Sequence, residues 1–436
     1  MKTTILLPLI VSAFVGFSIL PKVQAVVPAP DGGYPGFNTA EGQNALFSLT
    51  TGVANTAIGW FSLKSDTDGS FNTAVGAGTL LFNIGNQGSS QGIENTAIGA
   101  AALLLNTTGA QNTAIGVAAL LNNDGDSNTA IGFRALANST TAESNTATGA
   151  FALESNTVGF GNTATGFGAL LSNTDGDDNT AIGDNALVLN STGSDNTAVG
   201  SFALETNASG SNNAAFGTNV LFHNTDGSAN TAVGDHALFN ATSGQLNTVL
   251  GQNAGSGVTT ASHVICIGAE IAGANVDNSC FIGQIYQRQV GNDNLPVQID
   301  SFGKFGTTVS SKRFKHNVRS MNEASEIILA LRPVTFHYKS DPTNTPQFGL
   351  IAEEVAEVNA ALVVRDKEGK PYSVRYDQVN AMLLNEFLKE HKKNEEQAAT
   401  IAILQKRVEV LAAGLQKVSA QLEPSKAAPA VADVNH

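Results

Sequence analysis

From residue 38 to residue 251 the apolar and polar positions recur in blocks of 17. Each block opens with Asn, continues Thr-Ala-Ile or a close variant, and reaches a Gly four residues after the Asn. The anchors are Asn38, Asn55, Asn72, Asn95, Asn112, Asn128, Asn145, Asn162, Asn179, Asn196, Asn213, Asn230 and Asn247. All steps are 17 except one of 23, across a Gly/Gln/Ser-rich insertion at Gly85 to Gly92, and one of 16. Gly recurs at +4 from Gly42 to Gly251, and Leu at +8 in the first twelve copies, Leu46 to Leu238. A fixed short period marks a repeat architecture.

Thr-Ala-Ile suits a short strand, and the Gly ends it. The apolar pair at +7 and +8 predicts a second short strand. Asn, Asp, Thr, Ser and Gly then fill a turn. Two brief strands and two turns per coil describe a mainly β chain, a parallel β-solenoid or β-roll over 38–290. At a strand spacing of ~4.8 Å, the anchored coils make a rod on the order of 60 Å long. The core is thin, about four small apolar residues per coil, and small cores are marginal alone. Ala57 and Ile58 point to opposite strand faces. One face fills the coil and the other must be covered, which predicts an oligomeric rod. The Asn column predicts a buried hydrogen-bonded ladder along the axis.

Two further coils are expected at Ile265-Cys266-Ile267-Gly268 and Cys280-Phe281-Ile282-Gly283. Their cysteines stand one position out of register. One bridge or two separate thiols both fit this pattern. The turn at Asp66-Thr-Asp-Gly is expected to be solvated, because the glycine-rich nonapeptide of calcium-loaded β-rolls is missing. The Thr column (Thr56, Thr73, Thr96 and on) offers an alternative reading, a module that binds a regular surface such as polysaccharide or ice.

The apolar pattern changes period near the end of the chain. Ala398, Ile401, Leu404, Val408, Leu411, Leu415, Val418 and Leu422 form an a/d seam, predicting a coiled coil over 386–423 whose Ile and Leu suit a trimer. Pro424 ends it, and the Ala/Pro tail at 424–436 has a disordered composition. At the other end, Lys2, the apolar run Ile5 to Leu20 and Val23-Gln24-Ala25 predict a secretory signal peptide at 1–25. A leader at 26–37 follows. The run is too short for an ordinary membrane span, so a secreted or cell-surface protein is expected.

Charge sharpens this layout. Of 23 Lys and Arg, 17 lie from Ser310 onward, with 16 of the 37 Asp and Glu. That leaves 6 basic and 21 acidic residues before Ser310, a net charge of −15 against +1 after it. Such a step marks a domain boundary. An acidic body argues against nucleic acid as a partner. The seven His residues show no ligand spacing, and no phosphate loop, dinucleotide fingerprint or nucleophile elbow occurs. Neither a metal nor a cofactor is expected.

The candidate chemistry sits at that boundary, in Ser310-Ser311-Lys312-Arg313-Phe314-Lys315. Ser-Lys catalysis needs a hydroxyl nucleophile and an unprotonated amine, so the Lys must be desolvated or crowded by cations. Arg313, His316 and Arg319 flank Lys315. Ser311 is a second candidate nucleophile, one helical turn from Lys315.

Ser310-Ser311-Lys312-Arg313-Phe314-Lys315-His316-Asn317 resembles the opening of the intramolecular chaperone of endosialidase tailspikes, the peptidase S74 family, which typically begins Ser-Asp-x-Arg-x-Lys-x-Asn. Pro333-Val-Thr-Phe, Phe348-Gly-Leu-Ile-Ala-Glu-Glu-Val and Val374-Arg-Tyr are similar to its later segments. The resemblance implies a small α+β chaperone at 310–385 that assembles a homotrimer and then cuts itself off. It implies Ser310 as nucleophile, Lys315 as base and Val309–Ser310 as the scissile bond, with no turnover of other substrates. Ser311 replaces the family's Asp, and Glu353 its Gln. The repeat body resembles, less specifically, the β-roll heads of trimeric autotransporter adhesins. Residues 291–309 read as a connector. The functional expectation is a secreted trimeric fibre of adhesin or tail-fibre kind, with a cell-surface or polysaccharide ligand.

Overall fold

The computed structural model describes residues 34–286, 288, 295–300 and 303–422. The expected signal peptide (1–25), residues 26–33 of the leader, and the tail (424–436) lie outside them. The chain divides into two compact units, Met1–Gln289 and Val290–His436.

The first unit is a parallel β-solenoid. Fifteen three-residue strands, β1 (Thr39–Glu41) through β15 (Cys280–Ile282), form one sheet in strict sequence order. Register is set by the repeat itself: Thr faces Thr and Ala faces Ala, as in Thr180↔Thr197 and Ala181↔Ala198. At ~4.8 Å per strand the sheet is about 65–70 Å long.

The core is a stack of columns. The middle strand residue, usually Ala, is fully buried from Ala57 to Ala232. Leu at +8 is fully buried from Leu63 to Leu238, worth about 1.5–3 kcal/mol of hydrophobic stabilisation each. The expected second strand is corrected here. The Ala-Leu pair forms a corner instead, in which Leu46 to Leu238 have φ between 47° and 54°. A bulky residue in the left-handed region costs about 1–3 kcal/mol. The site compensates by burying the side chain and bonding the backbone across coils, as in Leu187 N–H to the Ala203 carbonyl, 2.9 Å. A β-strand has no such bend, so propensity alone misreads the corner.

The +4 glycines have a different constraint. Gly200 has φ of +138°, and a Cβ there would stand 2.3 Å from the Gly217 carbonyl oxygen of the next coil. No L side chain fits so close a backbone approach.

The Asn ladder is present. Asn179 N–H donates to Asn162 Oδ1 (3.0 Å), and Asn179 Nδ2 donates to the Gly193 carbonyl (2.8 Å). Every anchor from Asn55 to Asn247 is fully or almost fully buried. A second ladder runs three residues beyond the Leu column. Asn173, Asn190, Asn207 and Asn224 each donate from Nδ2 to Oδ1 of the rung one coil earlier, at 2.7–2.8 Å. Its signal, Asn recurring at +11, is visible in the sequence but was masked by the turn composition around it. The rung in the second coil is Asp66, fully buried. That corrects the expectation of a solvated Asp66 turn: this position points inward because the rung column does.

Both remaining strand positions face outward. The +3 column is apolar, with Ile58 41 % and Ile182 43 % exposed. Only Glu41, Thr148 and Thr165 interrupt it among β1–β15. Beside those threonines, Phe133, Phe151 and Phe167 stack edge to face, with centroids 5.3 and 5.7 Å apart. The outer sheet face thus carries an apolar column, broken at Thr148 and Thr165, beside a column of mostly Thr, with Glu41 its single charge, in a body rich in acidic residues. At the last coil Ile265 pairs with Cys280 and Cys266 with Phe281. Cys266 is buried, Cys280 is exposed, and both are free thiols.

The second unit is α+β. β16 (Val297–Ile299) and β17 (Phe305–Thr307) form a hairpin. A 3₁₀ helix follows at Asn322–Ala330. Then come the hairpin of β18 (Val334–Phe336) and β19 (Gln347–Gly349), helix α1 (Ala352–Val358), and the hairpin of β20 (Val363–Arg365) and β21 (Pro371–Val374). Their small core holds Val355, Leu362, Val363, Val374 and Val379. Helix α2 runs 47 residues, Tyr376–Leu422, beginning ten residues before the expected coiled coil. Its apolar seam is uncovered: Leu404, Leu411 and Leu415 are all more than half exposed. Among the described residues no helix is long and apolar enough to cross a membrane.

Candidate functional site

After β17 the chain passes through Val309 and Ser310 outside any regular element and then turns. Ser311, at φ −61° and ψ 140°, precedes a single 3₁₀ turn at Lys312–Phe314. The turn is closed by Phe314 N–H to the Ser311 carbonyl and Lys315 N–H to the Lys312 carbonyl, both 3.0 Å. The Arg313 guanidinium lies over the Phe314 ring, 4.7 Å from its centroid, an exposed cation–π contact worth about 0.5–1 kcal/mol. This one turn reverses the chain, so that residues five apart in sequence meet.

The residues that meet are Ser310 and Lys315. Lys315 Nζ donates to Ser310 Oγ at 3.0 Å, within reach for a nucleophile and its base. The Ser311 hydroxyl makes no hydrogen bond in the described residues. Arg313, His316 and Arg319 stay near in sequence, and all are exposed. Val309, whose carbonyl precedes the Ser310 nitrogen, is 55 % exposed. The pair therefore has the contact geometry but stands in solvent within one chain. A Lys base needs desolvation, and among the described residues the pair and its neighbours from Val309 to Ser320 are all exposed.

The surrounding fold anchors the segment after the pair. Ser325, fully buried on the 3₁₀ helix, bonds to Glu386 and accepts from Asn385 Nδ2 at 2.7 Å. Lys389 bridges Glu326 (3.0 Å) and Glu386 (2.8 Å) on the same seam. Lys389 and Ser325 hold the Glu386 carboxyl below its usual range. This network ties the first turns of α2 to the 3₁₀ helix seven residues beyond Lys315. Sequence reasoning did not find it, since Ser, Asn, Glu and Lys on a helix normally read as a solvated face. Arg332 pairs with Glu354, which keeps that carboxyl lowered as well. Glu353 itself is exposed.

An open apolar groove of about 660 Å³ is lined by Ile328, Pro333, Phe348, Tyr376, Val379 and Leu383, among others. It brings no nucleophile and base together. No cluster of three or more metal-ligating side chains occurs among the described residues.

Residues 310–364 match the family model described as chaperone of endosialidase. The match begins at Ser310, covers the Ser310–Lys315 pair, and runs through β18 and β19 into β20. It places a chaperone domain of the S74 type behind the β-solenoid body. No curated protein matches the chain, and no solved structure does.

Proposed function

We propose that the chain is a secreted homotrimeric fibre of tail-fibre or adhesin kind, and that its C-terminal chaperone brings three copies into register and then cuts itself away at Val309–Ser310. The observation that carries this reading is the 3.0 Å contact between Lys315 Nζ and Ser310 Oγ at the first residues of the chaperone match. Two surfaces support assembly: the apolar outer face of the solenoid sheet and the uncovered seam of α2. Registering three chains at α2 lowers the entropic cost of lining up parallel coils that are distant in sequence.

In the cleavage step Lys315 Nζ, unprotonated, accepts the Ser310 hydroxyl proton. Ser310 Oγ attacks the Val309 carbonyl carbon. The C–Oγ bond forms, the C–N bond breaks, and the proton passes to the departing Ser310 amine. Water then hydrolyses the ester, leaving a Val309 carboxylate and restoring the Ser310 hydroxyl. Solvent exposure of the pair in one chain supports assembly as the trigger, because a Lys base needs a desolvated site and packed copies would supply one.

The test compares wild type with Ser310→Ala and Ser311→Ala on denaturing gels, with intact-mass analysis. Wild type and Ser311→Ala give two fragments meeting at Val309–Ser310, and Ser310→Ala stays whole. Cleavage of Ser310→Ala at the same bond rules the mechanism out. The regular outward array of Thr and Ile at ~4.8 Å along the rod favours one other reading, a surface-binding module for polysaccharide or ice with a permanent trimeriser. An uncut, trimeric wild type would select it.

A further inference from the structure

Within the second Asn ladder each inner rung serves twice, while the last, Asn224, is followed by Ala241 and its Oδ1 has no partner. Oδ1 accepts from the next coil, and Nδ2 donates to the previous rung and to the glycine carbonyl three residues on, as Asn190 does at 2.8 and 2.9 Å. Asp66 occupies a rung with the same shape but no amide. Its Oδ1 performs the accepting role, taking Gly69 N–H (3.1 Å), Gly85 N–H (3.1 Å) and Asn83 Nδ2 (3.4 Å). Its Oδ2 replaces the amide nitrogen, is buried, and has no partner. Two residues on, Asp68 Oδ1 is also buried without a partner.

A buried ionised carboxylate with one oxygen unbonded, beside a second carboxylate, is unfavourable twice over: through desolvation and through like-charge repulsion. A proton on Oδ2 removes the charge and restores the missing donor. Asp68 is the charged neighbour that acts on Asp66. The stretches stacked on either side, Leu49–Gly52 and Asn83–Gly92, contain no titratable side chain.

The position matters because the next coil carries the sole 23-residue step. Its six extra residues, 86–91, form a small loop closed by the Asn86–Gln91 bridge, with a 3₁₀ turn at Gln87–Ser89. Asp66 Oδ1 holds Gly85 N–H at the root of this loop, and Gln87 bonds to Ser70 beside it.

We propose that Asp66 is a protonated rung of the ladder, and that losing its proton loosens the root of the 86–91 loop. The loop is then a proton-operated element on the polar edge of the rod, closed in acid and opening toward alkaline pH. Burial, the largest influence, pushes the Asp66 carboxyl up to about 6. The Gly85 and Asn83 bonds favour the ionised form, but burial outweighs them; opening that hydrates the carboxyl therefore releases its proton, so closure is fully favoured below the ordinary value of 3.8 and is weakened as pH rises through about 6.

Hydrogen exchange of residues 84–92 in the full chain, corrected for intrinsic rates, tests this at pH 5 and pH 8. With values of 3.8 open and about 6 closed, linkage gives an opening constant about tenfold larger at pH 8. Asp66→Asn installs the residue that the next coil carries at this rung, Asn83, and should be flat across this range, with slower exchange at pH 8. An equal rise in wild type and Asp66→Asn would overturn the proposal. So would protection restored at pH 8 by calcium chloride in wild type alone, since a cation rather than a proton would then complete Oδ2.

Discussion

Removing one anchor asparagine in mid-rod measures what the buried ladder contributes. In Asn179→Ala four side-chain hydrogen bonds disappear. Asn179 Oδ1 accepts from Asn196 N–H (3.1 Å) and Asn196 Nδ2 (3.0 Å), and Asn179 Nδ2 donates to Asn162 Oδ1 (3.1 Å) and the Gly193 carbonyl (2.8 Å). Three of the four partners keep another bond. Asn162 Oδ1 still receives Asn179 N–H, the Gly193 carbonyl still receives Asn190 Nδ2, and Asn196 Nδ2 still reaches the Gly210 carbonyl. Asn196 N–H alone is left buried with nothing to bond. An orphaned buried donor costs about 1–3 kcal/mol, and each net hydrogen bond lost costs about 1 kcal/mol more. With one orphaned donor and three further bonds lost, the expected destabilisation is therefore about 4–6 kcal/mol, concentrated in the coils that contain Asn179 and Asn196. Urea unfolding of the uncut Ser310→Ala chain gives the total, and hydrogen exchange locates it. Thr180→Ser, on the half-exposed outer face one residue away, should change stability by less than about 0.5 kcal/mol. A loss below about 1 kcal/mol for Asn179→Ala would refute the reasoning that the ladder is a stabilising element rather than a consequence of the repeat.

Two further substitutions probe the coil from its other sides. Gly200→Ala combines a positive φ with a Cβ 2.3 Å from the Gly217 carbonyl oxygen, and should destabilise by more than about 3 kcal/mol. A melting temperature within a few degrees of wild type would show that the coils separate more easily than their spacing implies. Ile182→Asp puts a charge on the outer apolar column without touching the coil interior. Under the trimer reading the coil signature in circular dichroism should survive while light scattering shows loss of the assembled rod. An unchanged mass would move the seam between copies away from this face.

Some of this fold was legible from residue order because the same demand recurs at a fixed period. Asn at a constant offset in thirteen copies implies one environment repeated, and a polar side chain that recurs among apolar columns is there to bond its own image. Hence the ladder from Asn38 to Asn247 could be expected. The corner at Leu187 could not. Its φ of 53° is unfavourable for an isolated Leu and is imposed by the neighbouring coils, which no local propensity records. The same holds for Asp66. Its turn-like sequence argues for solvent, and only stacking against Asn83 and Gly85 makes it an interior rung.

The junction divides in the same way. Residue order alone determined the 17-residue period, the charge step at Ser310, and the apolar seam at the end, and left Ser310 and Ser311 both open as partners of Lys315. These are properties of composition and spacing, and they need no partner to be defined. Tertiary structure decided that each coil has one strand and a left-handed corner, that Asp66 is buried, and that Ile58 to Ile282 face outward. It also decided that a single 3₁₀ turn at Lys312–Phe314 brings Lys315 back onto Ser310 rather than Ser311. Each of these depends on atoms brought together by neighbouring coils or by a reversal of the chain, and such proximity is a property of three dimensions.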